Sequence, residues 1–73
     1  VQPTQEATPR KVGRAVKIHM TRRDLHQADV AKILGLSIAA TSRRLSGKIP
    51  LNVAELQLLA DAFSVTLPEL LDA

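Results

Sequence analysis

The chain predicts an all-α fold: a compact bundle of five short helices. Three observations carry this. No segment alternates apolar and polar residues with period two over a useful length, so no strand is expected. The core must be built from Leu, Ile, Val and Ala, because Phe63 is the only aromatic residue in 73 and 45% of residues are apolar. Helix-capping patterns then divide the chain at regular short intervals.

Residues 1–8 contain the polar, Pro-bearing stretch VQPTQEA and are expected to be a disordered tail. The folded domain is expected over residues 9–73. Thr8-Pro9 reads as an N-cap followed by proline in the first turn, where a missing N–H costs nothing. The first helix should run from about Pro9 to Arg22 or Arg23, with Val12, Val16 and Met20 facing the core. Ile18 falls on the opposite side and is expected to be exposed, or to touch a partner subunit. Asp24 should end this helix, with Leu25 dropping into the core.

The second helix should start near Gln27, with Asp29 in its first turn complementing the helix dipole. His26 sits at its cap position and is a poor cap. Val30, Ala31, Ile33 and Leu34 have helical spacing, and Gly35 then stops the helix by entering the left-handed conformation. Ser37 caps a third helix from Ser37 or Ile38 to about Ser46, which Gly47 ends. A helix, a three-residue glycine turn and a second helix form the helix-turn-helix unit. Its second helix carries Arg43 and Arg44, with Lys48 just beyond, which suggests a reader of the DNA major groove.

Asn52-Val-Ala-Glu55 is a capping-box variant opening a fourth helix to about Phe63, with Val53, Leu56, Leu59, Ala60 and Phe63 as its inner stripe. Thr66-Leu-Pro-Glu69 is a second box opening a short fifth helix, whose Leu67, Leu70 and Leu71 should close the core.

Charge is segregated along the chain. All ten Lys and Arg lie between Arg10 and Lys48, opposed there only by Asp24 and Asp29, so this stretch carries +8 of a molecule whose net charge is +3. Glu6, Glu55, Asp61, Glu69 and Asp72 lie outside it. A basic face attracts a polyanion and raises its on-rate. The scarcity of aromatic rings argues against single-strand binding by base stacking. With no cysteine, disulfides and thiolate metal sites are excluded, and an intracellular setting is compatible. No apolar run approaches the roughly 18 residues of a membrane span. His19 and His26 stand apart and are expected at the surface, with no metal and no cofactor. An enzyme is not expected, since no glycine-rich phosphate loop, carboxylate pair beside a histidine or Ser/His/Asp group occurs. Val1 stands where Met would be expected, so the chain is read as processed or as a fragment of something longer.

From Arg10 to Asp72 the chain resembles the lambda-repressor/Cro-like (XRE-type) helix-turn-helix domains of phage and bacterial repressors. Leu25-His26-Gln27, Ala31, Leu34-Gly35-Leu36-Ser37, Ser42-Arg43, Gly47-Lys48 and the tail LQLLADAFSVTLPELL carry the resemblance. It implies a compact five-helix domain whose third helix enters the major groove. It further implies sequence-specific double-stranded DNA binding as a transcriptional repressor or regulator. Docking of this kind sets Ser37, Ile38, Ala39, Ser42, Arg43 and Ser46 against base edges. Arg43 can bond guanine O6 and N7 together, and Ile38 and Ala39 can meet thymine methyls. The third helix holds no Asn or Gln, so a site read through guanine and thymine is expected.

Gln27 matches the family's phosphate-contacting Gln, and Lys48 and Asn52 match its backbone-contacting loop. Arg44, Arg22, Arg23 and Lys17 are further phosphate candidates. Two positions depart from the family pattern. Thr41 and Arg44 occupy the middle of the third helix's inner face, where aliphatic residues are usual, so Arg44 should lay its methylenes on the core and carry its charge outward. His26 replaces the usual Thr or Ser cap. The resemblance then implies an operator duplex as the partner and the cytoplasm of a bacterial or phage-infected host cell as the setting. A weak homodimer, in which Leu58 and the fifth helix could take part, or a further C-terminal domain in a longer chain remains compatible. The alternative function is a protein-interaction module, an antitoxin or adaptor, on the same fold.

Overall fold

A computed structural model describes residues 8–72, so residues 1–7 of the expected tail lie outside the described residues. Five helices follow in order: α1 (Pro9–Arg22), α2 (Gln27–Leu34), α3 (Ile38–Ser46), α4 (Val53–Phe63) and α5 (Leu67–Leu71), with no strand among the described residues. The expected all-α five-helix bundle is the architecture found.

Local hydrogen bonds account for most of the boundaries. Thr8 Oγ1 accepts from the Lys11 N–H at 3.1 Å to start α1. The helix closes at Arg23, and the Leu25 N–H then donates back to the Met20 carbonyl at 2.9 Å while Asp24 takes a left-handed φ of 58°. Asp tolerates that conformation better than most residues. At α2 the cap runs in reverse. The His26 imidazole makes no capping bond, and Asp29 Oδ2 accepts from the His26 N–H at 2.8 Å. Gly35, at φ 70°, turns the chain, and Ser37 Oγ accepts from the Ala40 N–H at 3.1 Å to open α3. Asn52 with Glu55 and Thr66 with Glu69 form complete capping boxes on α4 and α5.

The core is one cluster centred on Val16, Val30, Leu45, Leu59, Phe63 and Leu70. Helix α1 packs against α3 and α5, α2 against α3 and α4, and α4 against α5. Met20 joins this core, and Val12 and Leu25 pack on its margin.

Four expectations are corrected. Val53 is 72% exposed, not part of the inner stripe of α4: it has the right helical phase but stands in the first turn, where nothing packs on it. Leu71 is 39% exposed, because it lies about 100° round from the buried Leu70 on a helix too short to bury both. His19 is 4% exposed and belongs to the interior. Ile18, expected at the surface, is half-buried.

His19 is held by polar partners on both ring nitrogens. Arg23 Nη1 can only donate, so His19 Nδ1 accepts at 3.1 Å, which puts the ring proton on Nε2, 3.1 Å from the Glu69 carbonyl. The ring stacks on Phe63 with centroids 6.1 Å apart, and the Arg23 guanidinium lies 4.9 Å from the centre of the same phenyl ring. Arg23 also donates to the His19 carbonyl at 3.1 Å and the Phe63 carbonyl at 3.0 Å. These bonds buckle the end of α1 to α4 and α5.

Candidate nucleic-acid interface

Helix α3 turns Thr41 (0% exposed) and Leu45 (2%) inward. Their phase turns Ala39, Arg43 and Ser46 outward, with Ser42 half-buried at the edge, while Ile38 shares the inward phase and is exposed because it opens the first turn, where nothing packs on it. Thr41 is tolerated inside because its hydroxyl donates to the Ser37 carbonyl at 2.9 Å, and among the described residues no buried side-chain polar atom lacks a partner. The outward row has mixed chemistry. Ile38 is 55% exposed, a bare apolar side chain at the helix start. Arg43 is exposed, and among the described residues no carboxylate comes within ion-pair distance of it. Ser46 Oγ donates to the Arg43 carbonyl at 3.1 Å, and the Ser37 hydroxyl oxygen is occupied as the cap.

The seat of α3 is set by two glycines. A Cβ on Gly13 of α1 would lie 2.2 Å from the Leu45 carbonyl oxygen and 2.8 Å from its carbon. Helix α1 therefore touches the backbone of α3 directly, and only hydrogen fits between them. Gly47, which ends α3 at φ 88°, would place a Cβ 2.8 Å from the Arg10 Cα. Both its conformation and its neighbour require glycine. The mid-helix Gly13 forgoes about 1 kcal/mol of helix propensity relative to Ala, and this close crossing explains it.

On the other flank α3 is tied to α4. Arg44 Nε donates to Glu55 Oε2 at 3.1 Å and Arg44 Nη1 to the Ala40 carbonyl at 3.0 Å. The other Glu55 oxygen, Oε1, accepts from the Asn52 N–H at 3.0 Å. One carboxylate, itself 9% exposed, joins the end of α3 to the start of α4.

The candidate phosphate contacts divide accordingly. Gln27, Lys17, Lys48 and Arg22 are exposed. Arg22 shares an open groove with Glu69 and Asp72, whose charges oppose an anion there. Asn52 is exposed, with its side-chain oxygen committed to the Glu55 N–H at 2.7 Å. Arg44 and Arg23 depart from expectation: their guanidiniums are turned back into the fold, because buried acceptors within reach outweigh solvation of the head group. Sequence reasoning missed Gly13 and Glu55. A glycine in mid-helix was the visible signal for the first. For the second, nothing beyond a cap was readable.

Five helices that hold the second helix of a helix-turn-helix pair outward, with a guanidinium on it that is unpaired among the described residues, define the class as a small helix-turn-helix domain. The BetR domain matches residues 5–73, and the chain belongs to that family of small helix-turn-helix-type DNA-binding domains. No curated protein and no solved structure matches the chain. Among the described residues no helix is long and apolar enough to cross a membrane.

Proposed function

We propose that this domain binds double-stranded operator DNA in a sequence-specific manner and acts as a transcriptional repressor or regulator of the lambda-repressor/Cro type. Helix α3 lies in the major groove. The observation that carries this reading is the contrast on α3: Arg43 is exposed and unpaired among the described residues, while its neighbour Arg44 is bonded into the fold. Arg43 reads guanine through O6 and N7, Ile38 and Ala39 meet thymine methyls, and Ser37, Ser42 and Ser46 add single contacts. Gln27, Lys48 and the exposed N-terminus of α4 at Asn52 grip the phosphates beside the groove.

Selection of bound duplexes from a random pool, followed by a salt titration of the winning sequence, tests the reading. The selected site should be rich in guanine and thymine contacts. The logarithm of affinity should fall linearly with the logarithm of salt concentration, with a slope near −0.9 for each neutralised phosphate. A domain that selects no sequence and shows a flat salt response would be an interaction module instead.

A further inference from the structure

The outer face of α1 carries a charge pattern that contacts in the major groove do not use. Arg10, Lys11, Arg14 and Lys17 are all exposed, and α1 contains no acidic residue. Among the described residues none of the four has a carboxylate within ion-pair distance. Spacings of three and four residues place Arg10, Arg14 and Lys17 in one row, with neighbouring Cβ atoms about 5–6 Å apart. The opposite face of the same helix is buried through Gly13, Val16 and Met20.

The row is continuous with the recognition helix. Gly47, the residue that ends α3, sits so close to α1 that a Cβ on it would lie 3.2 Å from the Arg10 Cβ. Lys48 follows immediately, so the row begins where α3 and its loop end. It stops near Arg22, where Glu69 and Asp72 bring negative charge. The arrangement is polar: attractive to an anion near α3 and progressively less so toward α5.

We propose that this α1 ridge is a second phosphate track that grips the DNA backbone flanking the site read by α3. Arg10 takes over from Lys48, and Arg14 and Lys17 reach phosphates outside the groove contacts. The inference rests on the duplex-binding reading above and extends it from a groove contact to a longer footprint. Fourteen residues of helix span about 21 Å. One strand presents a phosphate about every 3.4 Å along the axis, so flanking DNA offers more phosphates than the ridge has cations.

The test compares random-sequence duplexes of about 7 base pairs, closed by a hairpin loop and spanning about 24 Å against the 40 Å length of the domain, and of about 30 base pairs, each titrated with salt. A longer duplex offers more binding positions to any protein. The readout is therefore the ratio of wild-type to variant affinity at each length, in which that factor cancels. The variant is Arg14→Gln/Lys17→Gln. The control is Lys32→Gln/Ala62→Glu, which changes net charge equally at exposed positions on α2 and α4. All four positions are exposed, so both proteins should melt like the wild type. The ridge variant should lose about tenfold on the long duplex and flatten its salt slope by about two units, with little change on the short one. The control should not reproduce that length dependence. Equal losses at both lengths, the same pattern in the control, or no loss at all would overturn the track. A loss confined to binding of anionic lipid vesicles would also overturn it, assigning the ridge to a membrane surface. Failure of the wild type to bind either duplex would instead sink the duplex-binding reading itself.

Discussion

Two arginine-bearing ends of this domain use the same side chain in opposite ways. At the end of α1, Arg23 turns inward, donates to two backbone carbonyls and to His19, and covers the face of Phe63. On α3, Arg43 turns outward with no partner among the described residues. The difference comes from what the fold offers each guanidinium. Arg23 finds three acceptors at 3.0–3.1 Å where α1, α4 and α5 meet. Arg43 lies on the face of α3 that Thr41 and Leu45 force away from the core. The α1–α4–α5 junction is a closed joint, whereas α3 is an open edge on a rigid mount. A cation satisfied inside the protein adds stability. One left unsatisfied is available to a ligand.

The largest expected effect breaks the mount. Gly13→Ala puts a methyl group 2.2 Å from the Leu45 carbonyl, a backbone atom that no rotamer change can move aside. Overpacking of this kind costs about 1–3 kcal/mol and outweighs the better helix propensity of Ala. The melting temperature should fall, and binding of the selected duplex should weaken more than binding of random duplex. A more stable protein would show that α1 and α3 are not in the described contact.

Next, Arg23→Ala should lower stability by about 2 kcal/mol, since it leaves the Phe63 and His19 carbonyls and His19 Nδ1 without their donor. Denaturant unfolding would measure it. Duplex specificity should be unchanged in the fraction that remains folded. A loss of specificity without a loss of stability would reverse the roles assigned to Arg23 and Arg43.

The smallest effect concerns α5. Hydrogen bonds from the Thr66 backbone N–H and side chain hold the Glu69 carboxyl below its ordinary value of 4.5. Its contribution is present above that value and fades as pH falls through the lowered one. Wild type and Glu69→Gln should therefore differ in melting temperature near neutral pH and converge in acid. A gap that widened in acid would contradict the cap. Glu69 is fully exposed, so the gap should be slight.

What could be read before the structure was local. Thr8, Gly35, Ser37, Gly47, Asn52 and Thr66 act through atoms within a few residues, and each ends or begins a helix where its chemistry requires. What could not be read depended on how helices cross. His19 looked like a surface residue because its acceptor, the Glu69 carbonyl, is fifty positions away. Arg44 resembled a free cation because Glu55 reaches it only through the angle between α3 and α4. Ala39, Arg43 and Ser46 were legible as outward from the period of α3, whereas Ile38 shares the inward phase and is exposed only because it opens the helix. Which of its two adjacent arginines stays free was settled by a neighbour on another helix.

The most direct measurement is the affinity of Arg43→Ala for a selected duplex and for a scrambled one, alongside its melting curve. The selected duplex should bind more weakly by about 1–3 kcal/mol, the scrambled duplex nearly as before, and the melt should match the wild type. Equal weakening on both duplexes, or a destabilised protein, would contradict Arg43 as the residue that reads the base.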